Sequence, residues 1–165
     1  GPLCEGGSHA GSACAPWTRG ATRGFSPMIV LDTNVLSALM RTEPDPQVLA
    51  WLDEQPAPSV WLTSITVFES RLGLALLPSG KRRRSLEASF ERLLTADLEN
   101  RVLAFDSAAA AASARVAARR QKTGRPVDMR DTQIAGICLS RRASLATRNV
   151  RHFDDLSLSI VNPWG

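Results

Sequence analysis

The chain has 165 residues, 44% of them apolar, enough for one folded domain with a real core. Its formal charge of +4 is compatible with a polyanionic partner but too small to demonstrate one. No apolar run reaches the ~18–20 residues of a membrane span. The three cysteines, Cys4, Cys14 and Cys138, form neither an even disulfide framework nor a metal-ligand spacing. A reducing, cytoplasmic setting is therefore expected, with Cys138 as a buried free thiol.

Residues 1–27 hold six of the eleven glycines, no hydrophobic periodicity and no signal-peptide core. Gly1-Pro2 resembles a protease-cleavage remnant, and Met28 looks like a natural initiator. The expectation is a disordered tail of added or upstream sequence over 1–27 and a folded domain over 28–165. The alternative for the tail is a partner-binding segment that orders on contact.

From Met28 onward, strands and helices alternate. Met28–Leu31 reads as a buried strand ending on Asp32. Asn34–Met40 is a short helix, followed by a Pro-containing turn and a second helix over Pro46–Gln55, with Asp45 as N-cap and Pro46 at the first helical position. Val60–Leu62 is strand two. Thr63 or Ser64 caps a helix to about Leu77 that gathers Ile65, Phe68, Leu72 and Leu76 on one face. Lys81–Thr95 is helical, with Leu86, Phe90, Leu93 and Leu94 as its apolar stripe. Arg101–Phe105 is strand three. Asp106 or Ser107 caps an Ala-rich helix to Lys122, which Gly124 ends. Arg130–Arg142 is the last helix, Ser144–Thr147 strand four and Leu158–Val161 strand five. Five short apolar runs separated by helices predict an α/β fold, a central mostly parallel sheet of about five strands flanked by helices.

Ligand chemistry in such sheets sits outside the carboxyl ends of the strands. Asp32 ends strand one, Glu69 lies in the helix after strand two, and Asp131 opens the helix leading into strand four. Each has a plain structural explanation: Asp32 and Asp131 as N-caps, Glu69 as a first-turn acid facing the helix dipole. Together they carry more weight. Three carboxylates ~5 Å apart would repel by about 3 kcal/mol per pair at an effective dielectric near 20. A fold gathers them only with a cation, or by protonating one. Hard oxygen ligands select Mg2+ or Mn2+ over zinc, and the only histidines are His9, in the tail, and His152. A metal ion with carboxylates is the equipment of phosphodiester hydrolysis.

These residues resemble PIN-domain toxins of the VapC type, the FitB-like branch in particular. The likeness runs through Met28-Ile-Val-Leu-Asp32-Thr-Asn34, Leu62-Thr-Ser-Ile-Thr-Val-Phe-Glu69, Gly124-Arg-Pro126, Asp131-Thr-Gln-Ile-Ala135, Leu145-Ala-Thr-Arg-Asn149-Val-Arg-His-Phe153 and Ile160-Val-Asn-Pro163-Trp164. It implies a PIN-like fold over 28–165 and a Mg2+- or Mn2+-dependent endoribonuclease, the toxin of a type II toxin–antitoxin pair. It also implies a homodimer neutralised by a small VapB/FitA-like antitoxin, through which alone operator DNA would be reached. Transfer RNA is the first expected substrate and ribosomal RNA the next. In this pattern Asp32, Glu69 and Asp131 match the acids that hold the metal. Asn149 stands where a fourth acid often lies, so the site is one charge poorer. Thr33, Asn34 and Thr147 are expected to support these acids, and Arg148 and Arg151 to contact RNA. Asp128 is read as a loop or cap residue.

Three other features have bland readings. Lys81–Arg84 is a solvated helix start, although positive charge there opposes the helix dipole. His152 is a structural or surface residue, since metal-bound water already supplies a nucleophile. Trp51, Trp61 and Trp164 serve core or dimer packing rather than base stacking. Two rival functions remain. A phosphatase with Asp32 as nucleophile commonly needs a second Asp two residues on, where this chain has Asn34. A non-catalytic PIN scaffold that binds RNA, or operator DNA with its antitoxin, has no use for three acids.

Overall fold

The structure is a computed structural model, and it describes residues 28–165. The expected tail, with Cys4, His9 and Cys14, lies outside the described residues. Five strands form one all-parallel sheet: β1 (Ile29–Leu31), β2 (Val60–Thr63), β3 (Val102–Leu103), β4 (Ser144–Ala146) and β5 (Ile160–Val161), in the order β3-β2-β1-β4-β5. Among the described residues six α-helices flank it: α1 (Thr33–Met40), α2 (Pro46–Asp53), α3 (Ser64–Ala75), α4 (Lys81–Arg92), α5 (Ser107–Lys122) and α6 (Met129–Arg141). No described helix is long and apolar enough to cross a membrane.

β1 is central, so both its faces are covered, and its sequence is continuously apolar rather than alternating. Ile29 and Leu31 join a core with Leu36, Val48, Leu62 and Phe90. Val30 points the other way, into a core with Ile134, Ile137, Leu145 and Phe153. Strands three and five are shorter than expected, because each is an edge strand with a single neighbour to extend its ladder. The helix expected over 81–95 is α-helical only to Arg92 and ends in a π-helical turn, Leu93–Asp97.

The caps follow local chemistry. Asp45 Oδ1 accepts from the N–H of Gln47 at 3.0 Å, Thr63 Oγ1 from that of Thr66 at 3.1 Å, and Asp106 Oδ1 from that of Ala109 at 2.9 Å. Gly124, at φ +73°, ends α5 in a left-handed turn, its own N–H donating to the Gln121 carbonyl and that of Arg125 to the Arg120 carbonyl. α5 and α6 pack so closely that a Cβ on Gly136 would lie 2.6 Å from the Ala109 carbonyl oxygen. That contact holds α6, and Asp131 with it, against α5. The stripe expected on α3 is split: Ile65 packs on the second core, but Phe68 (60% exposed), Leu72 and the C-cap Leu76 (76%) face outward, while Thr66 and Leu74 are the buried residues of that helix. Periodicity gathers apolar residues on one face but does not specify which side of a helix its own chain covers.

Candidate active site

A parallel sheet delivers the carboxyl ends of all its strands to one edge. Asp32 follows β1 there and is 5% exposed. Its Oδ1 accepts from the Thr33 N–H at 2.8 Å and its Oδ2 from the Thr147 hydroxyl at 2.7 Å. Thr147 Oγ1 in turn accepts from the Asn149 N–H at 3.1 Å and from Asn34 Nδ2 at 3.4 Å, so its one proton is left for Asp32. Asn34 Oδ1 accepts from the Arg148 N–H at 3.3 Å, tying α1 to the end of β4. Asp32 stands at the N-cap of α1 but bonds only the adjacent N–H, not those a cap normally satisfies further along. Both of its contacts are donors, an environment made for an acceptor-only group.

Glu69 lies in the second turn of α3, beyond the first turn in which the helix dipole favours an acid. Its Oε1 accepts from the Thr33 hydroxyl at 3.2 Å, and its Oε2 faces Arg130 NH1 at 3.3 Å. Asp131 is not the cap of α6. Asp128 is, accepting from the Asp131 N–H at 2.9 Å, and this leaves the Asp131 carboxylate to meet His152 Nδ1 at 2.8 Å. For a charged Asp131 that ring nitrogen carries the proton.

The electrostatics join the three acids. Burial pushes the Asp32 carboxyl above the usual range; the Thr147 and Thr33 hydrogen bonds oppose this, and the negative charges of Asp131 and Glu69 add to it. Asp131 is likewise raised, by burial first, with the His152 hydrogen bond opposing and the Asp128 charge adding. The buried Cys138 thiol is pushed far up by desolvation and by the Asp32 charge, so it is an inert core residue. Among the described residues no three His, Cys, Asp or Glu side chains already form a ligand cluster. The donor set nevertheless fits a hard cation: three carboxylates, with the charges of Glu69 and Asp131 both reaching Asp32 and each of those two held by one oxygen to a basic side chain.

Two hollows adjoin the acids. One, of about 1080 Å³, is walled by Thr33 and Glu69 together with Arg41, Lys81 and Arg82. The other, of about 480 Å³, is walled by Asp131 and His152 together with Arg125 and Arg151. The Lys81-Arg82 pair is the exposed helix start expected from the sequence, and it also borders the first hollow. Arg148 stacks its guanidinium 4.9 Å from the Trp164 ring centroid, and the Arg151 carbonyl accepts from Arg125 NH2 at 2.5 Å. Sequence reasoning missed the direct contacts of His152 and Arg130 with the acids. The only signals were their places beside Asp131 and after Asn149.

Behind Asp131 lies a second charged cluster. Arg120, 2% exposed, forms a two-pronged pair with Asp155 (2.9 and 2.8 Å) and donates to the His152 carbonyl at 2.6 Å. Arg125 bridges Asp154 at 2.9 Å. The pair holds the short 3-10 turn Val150–His152 and so aims the His152 ring at Asp131.

Fold and site together define an α/β protein with an acidic niche at the carboxyl edge of a five-stranded parallel sheet. The PIN domain signature matches residues 29–157, and the chain belongs to that family. Over 137 residues it is 42% identical to the plasmid stability protein StbB of Pseudomonas syringae pv. tomato, covering 83% of this chain and 99% of that one. It is 41% identical, over 83% of its length and 98% of the relative's, to the VapC ribonuclease Y4jK of Sinorhizobium fredii. The solved structure of FitAB bound to an IR36 DNA fragment superposes with a TM-score of 0.77 at 36% identity, covering 84% of this chain and 96% of that one.

Proposed function

We propose that the protein is a Mg2+- or Mn2+-dependent endoribonuclease, the toxin of a toxin–antitoxin pair. The observation that carries this reading is the buried Asp32 carboxylate, raised by its own burial and by the fields of Asp131 and Glu69, and gripped only by donors. Asp32, Glu69 and Asp131 would hold the ion. A divalent ion bound there supplies positive charge to a phosphoryl oxygen and acidifies water. Thr33 and Thr147 orient the carboxylates through the hydrogen bonds described above. His152 fixes the direction of Asp131, and the basic side chains of the two hollows offset the repulsion between an acidic niche and an RNA backbone.

The partner belongs to the same reading. The likeness to a VapC ribonuclease supports RNA as substrate, and the likeness to the DNA-bound FitAB assembly supports a small antitoxin that carries the operator contacts. A homodimer is included, and the outward stripe Phe68, Leu72 and Leu76 of α3 offers apolar surface for association.

The test is cleavage of a bulk RNA panel with Mn2+, with EDTA, and by Asp32→Ala. Cleavage should leave 5′-phosphate and 3′-hydroxyl ends, stop in EDTA and fall by at least ~100-fold in the variant. Cleavage indifferent to both, or a 2′,3′-cyclic phosphate product made with the RNA 2′-hydroxyl as nucleophile, would remove the metal-nuclease reading.

A further inference from the structure

Arg148 and Trp164 meet at the carboxyl edge from two neighbouring strands. Arg148 follows β4 directly after Thr147, whose hydroxyl serves Asp32. Trp164 follows β5 by three residues. The two are held from several sides. The Arg148 N–H donates to Asn34 at 3.3 Å, and its guanidinium lies over the indole with 4.9 Å to the ring centroid. Trp164 Nε1 donates to Asp45 Oδ2 at 3.0 Å, and the Trp164 N–H donates to Asn162 at 3.0 Å. Asp45 uses its other oxygen to cap α2, so the indole is anchored to a fixed helix end. The ring also packs on the larger core.

This arrangement matters because of the acids nearby. A flexible arginine beside three carboxylates tends to pair with one of them, as Arg130 does with Glu69. Among the described residues Arg148 forms no such salt bridge, and its cation is stacked instead. A guanidinium stacked on one face still presents its N–H edge in the plane, the geometry that grips two phosphate oxygens. Trp164, packed beneath it and against the core, is not an open platform for a base.

We propose that Trp164 is a positioning residue that holds the Arg148 guanidinium clear of the acids as a contact for an RNA phosphate. The proposal rests on the reading of RNA as substrate, and it extends that reading from Arg148 to the residues that place it.

The experiment measures binding of a single-stranded RNA oligonucleotide by the full chain in EDTA, over a series of salt concentrations. Arg148→Ala should weaken binding by about tenfold and reduce the slope of log K against log salt by about 0.7. Trp164→Leu should weaken it several-fold in the parent and have no further effect in the Arg148→Ala background. Trp164→Phe, which keeps a ring face, should restore most of the affinity. Arg148→Lys, which keeps the charge but not the plane, should fall between Arg148 and Ala and be less sensitive to position 164 than Arg148 is. An unchanged affinity and slope in Arg148→Ala would overturn the proposal. So would equal losses from Trp164→Leu with and without Arg148, since that marks a general structural defect, and so would a parent protein that binds no RNA. Binding is read without hydrolysis, so the two readings can fail separately. RNA binding that depends on Arg148 and Trp164, in a protein that Mn2+ does not activate, would sustain the inference and remove the nuclease reading. Mn2+-dependent cleavage with RNA affinity unmoved by either variant would do the reverse.

Discussion

Two charged clusters lie on either side of Asp131, and they are built on opposite terms. In the first, Arg120 and Asp155 meet through two hydrogen bonds, with Arg119 and Arg125 within 4.0 Å of the same carboxylate. Its charges are matched, and the pairing holds the Asp155 carboxyl below the usual range. In the second, Asp32, Glu69 and Asp131 share one negative field, and burial holds Asp32 and Asp131 above that range. The difference separates a cluster whose charges are matched within the fold from one whose charges are not, and the proposed metal ion would supply the match to the second. Matched buried charge is a structural brace, whereas unmatched buried charge persists where a ligand completes it.

Breaking the matched cluster should have the largest effect on stability. Arg120→Met removes a buried cation and leaves the partly exposed Asp155 without its two-pronged partner, a change that costs about 3–5 kcal/mol where both partners are fully buried. Arg119 and Arg125 still face Asp155, which places the expected loss at the lower end, on the order of 10 °C in melting temperature. The loss should shrink on acidification. Asp155 has a lowered folded pKa, so its contribution is present above the unfolded value near 3.9 and is lost as pH falls through the folded one. A melting temperature unmoved at pH 7 would mean that the pair braces nothing.

The unmatched cluster should behave the opposite way. Asp131→Asn keeps the shape and can still hydrogen-bond His152, but it removes one of the repelling charges. Asp131 has a raised folded pKa, so its contribution is present below the unfolded value near 3.9 and is lost as pH rises through the folded one. The variant should therefore melt with the parent at acid pH and above it at neutral pH, by about 1 kcal/mol, the size typical of relieving a functional site. RNA cleavage should drop by at least ~100-fold in the same protein. A variant that is less stable at pH 7 would mark the Asp131 carboxylate as a structural brace for His152 rather than a strained ligand.

Much of this contrast was legible in the sequence, though unevenly. The strand carrying Asp32 was visible because an apolar run ending on an acid is a short-range pattern. The caps at Asp45, Thr63 and Asp106 were visible for the same reason. The brace was not. Arg115, Arg119 and Lys122 recur at helical spacing along α5, yet the buried residue is their neighbour Arg120. Its partner Asp155 comes from 35 residues away, in a turn that no periodicity announces. His152 reads in the sequence only as a structural or surface residue and Arg130 only as a helix start, because their contacts with Asp131 and Glu69 depend on how that turn and α6 dock against the site. The outward stripe of α3 and the anchor of Trp164 on Asp45 are likewise tertiary facts. Local chemistry specified the acids, and long-range packing decided which cations meet them.

The smallest expected effect tests the border between the two clusters. Arg130 is mostly exposed and lies 3.3 Å from Glu69, so it lends the unmatched site a partial counter-charge from outside. A pair of this kind contributes about 0.2–1 kcal/mol, and Arg130→Ala should shift stability by no more than that. Its effect on the site should have the opposite sign to that of a structural loss. With Glu69 released, the acids present one more uncompensated charge to a cation, and the protein alone should bind Mn2+ up to about fivefold more tightly, read by calorimetry or by the spin signal of the free ion. Unchanged affinity would place Glu69 outside the field of the metal and reduce the site to Asp32 and Asp131. Weakened affinity would mean that Arg130 organises Glu69 for the ion rather than competing with it, and the site would then be less unmatched than the raised Asp32 and Asp131 carboxyls imply.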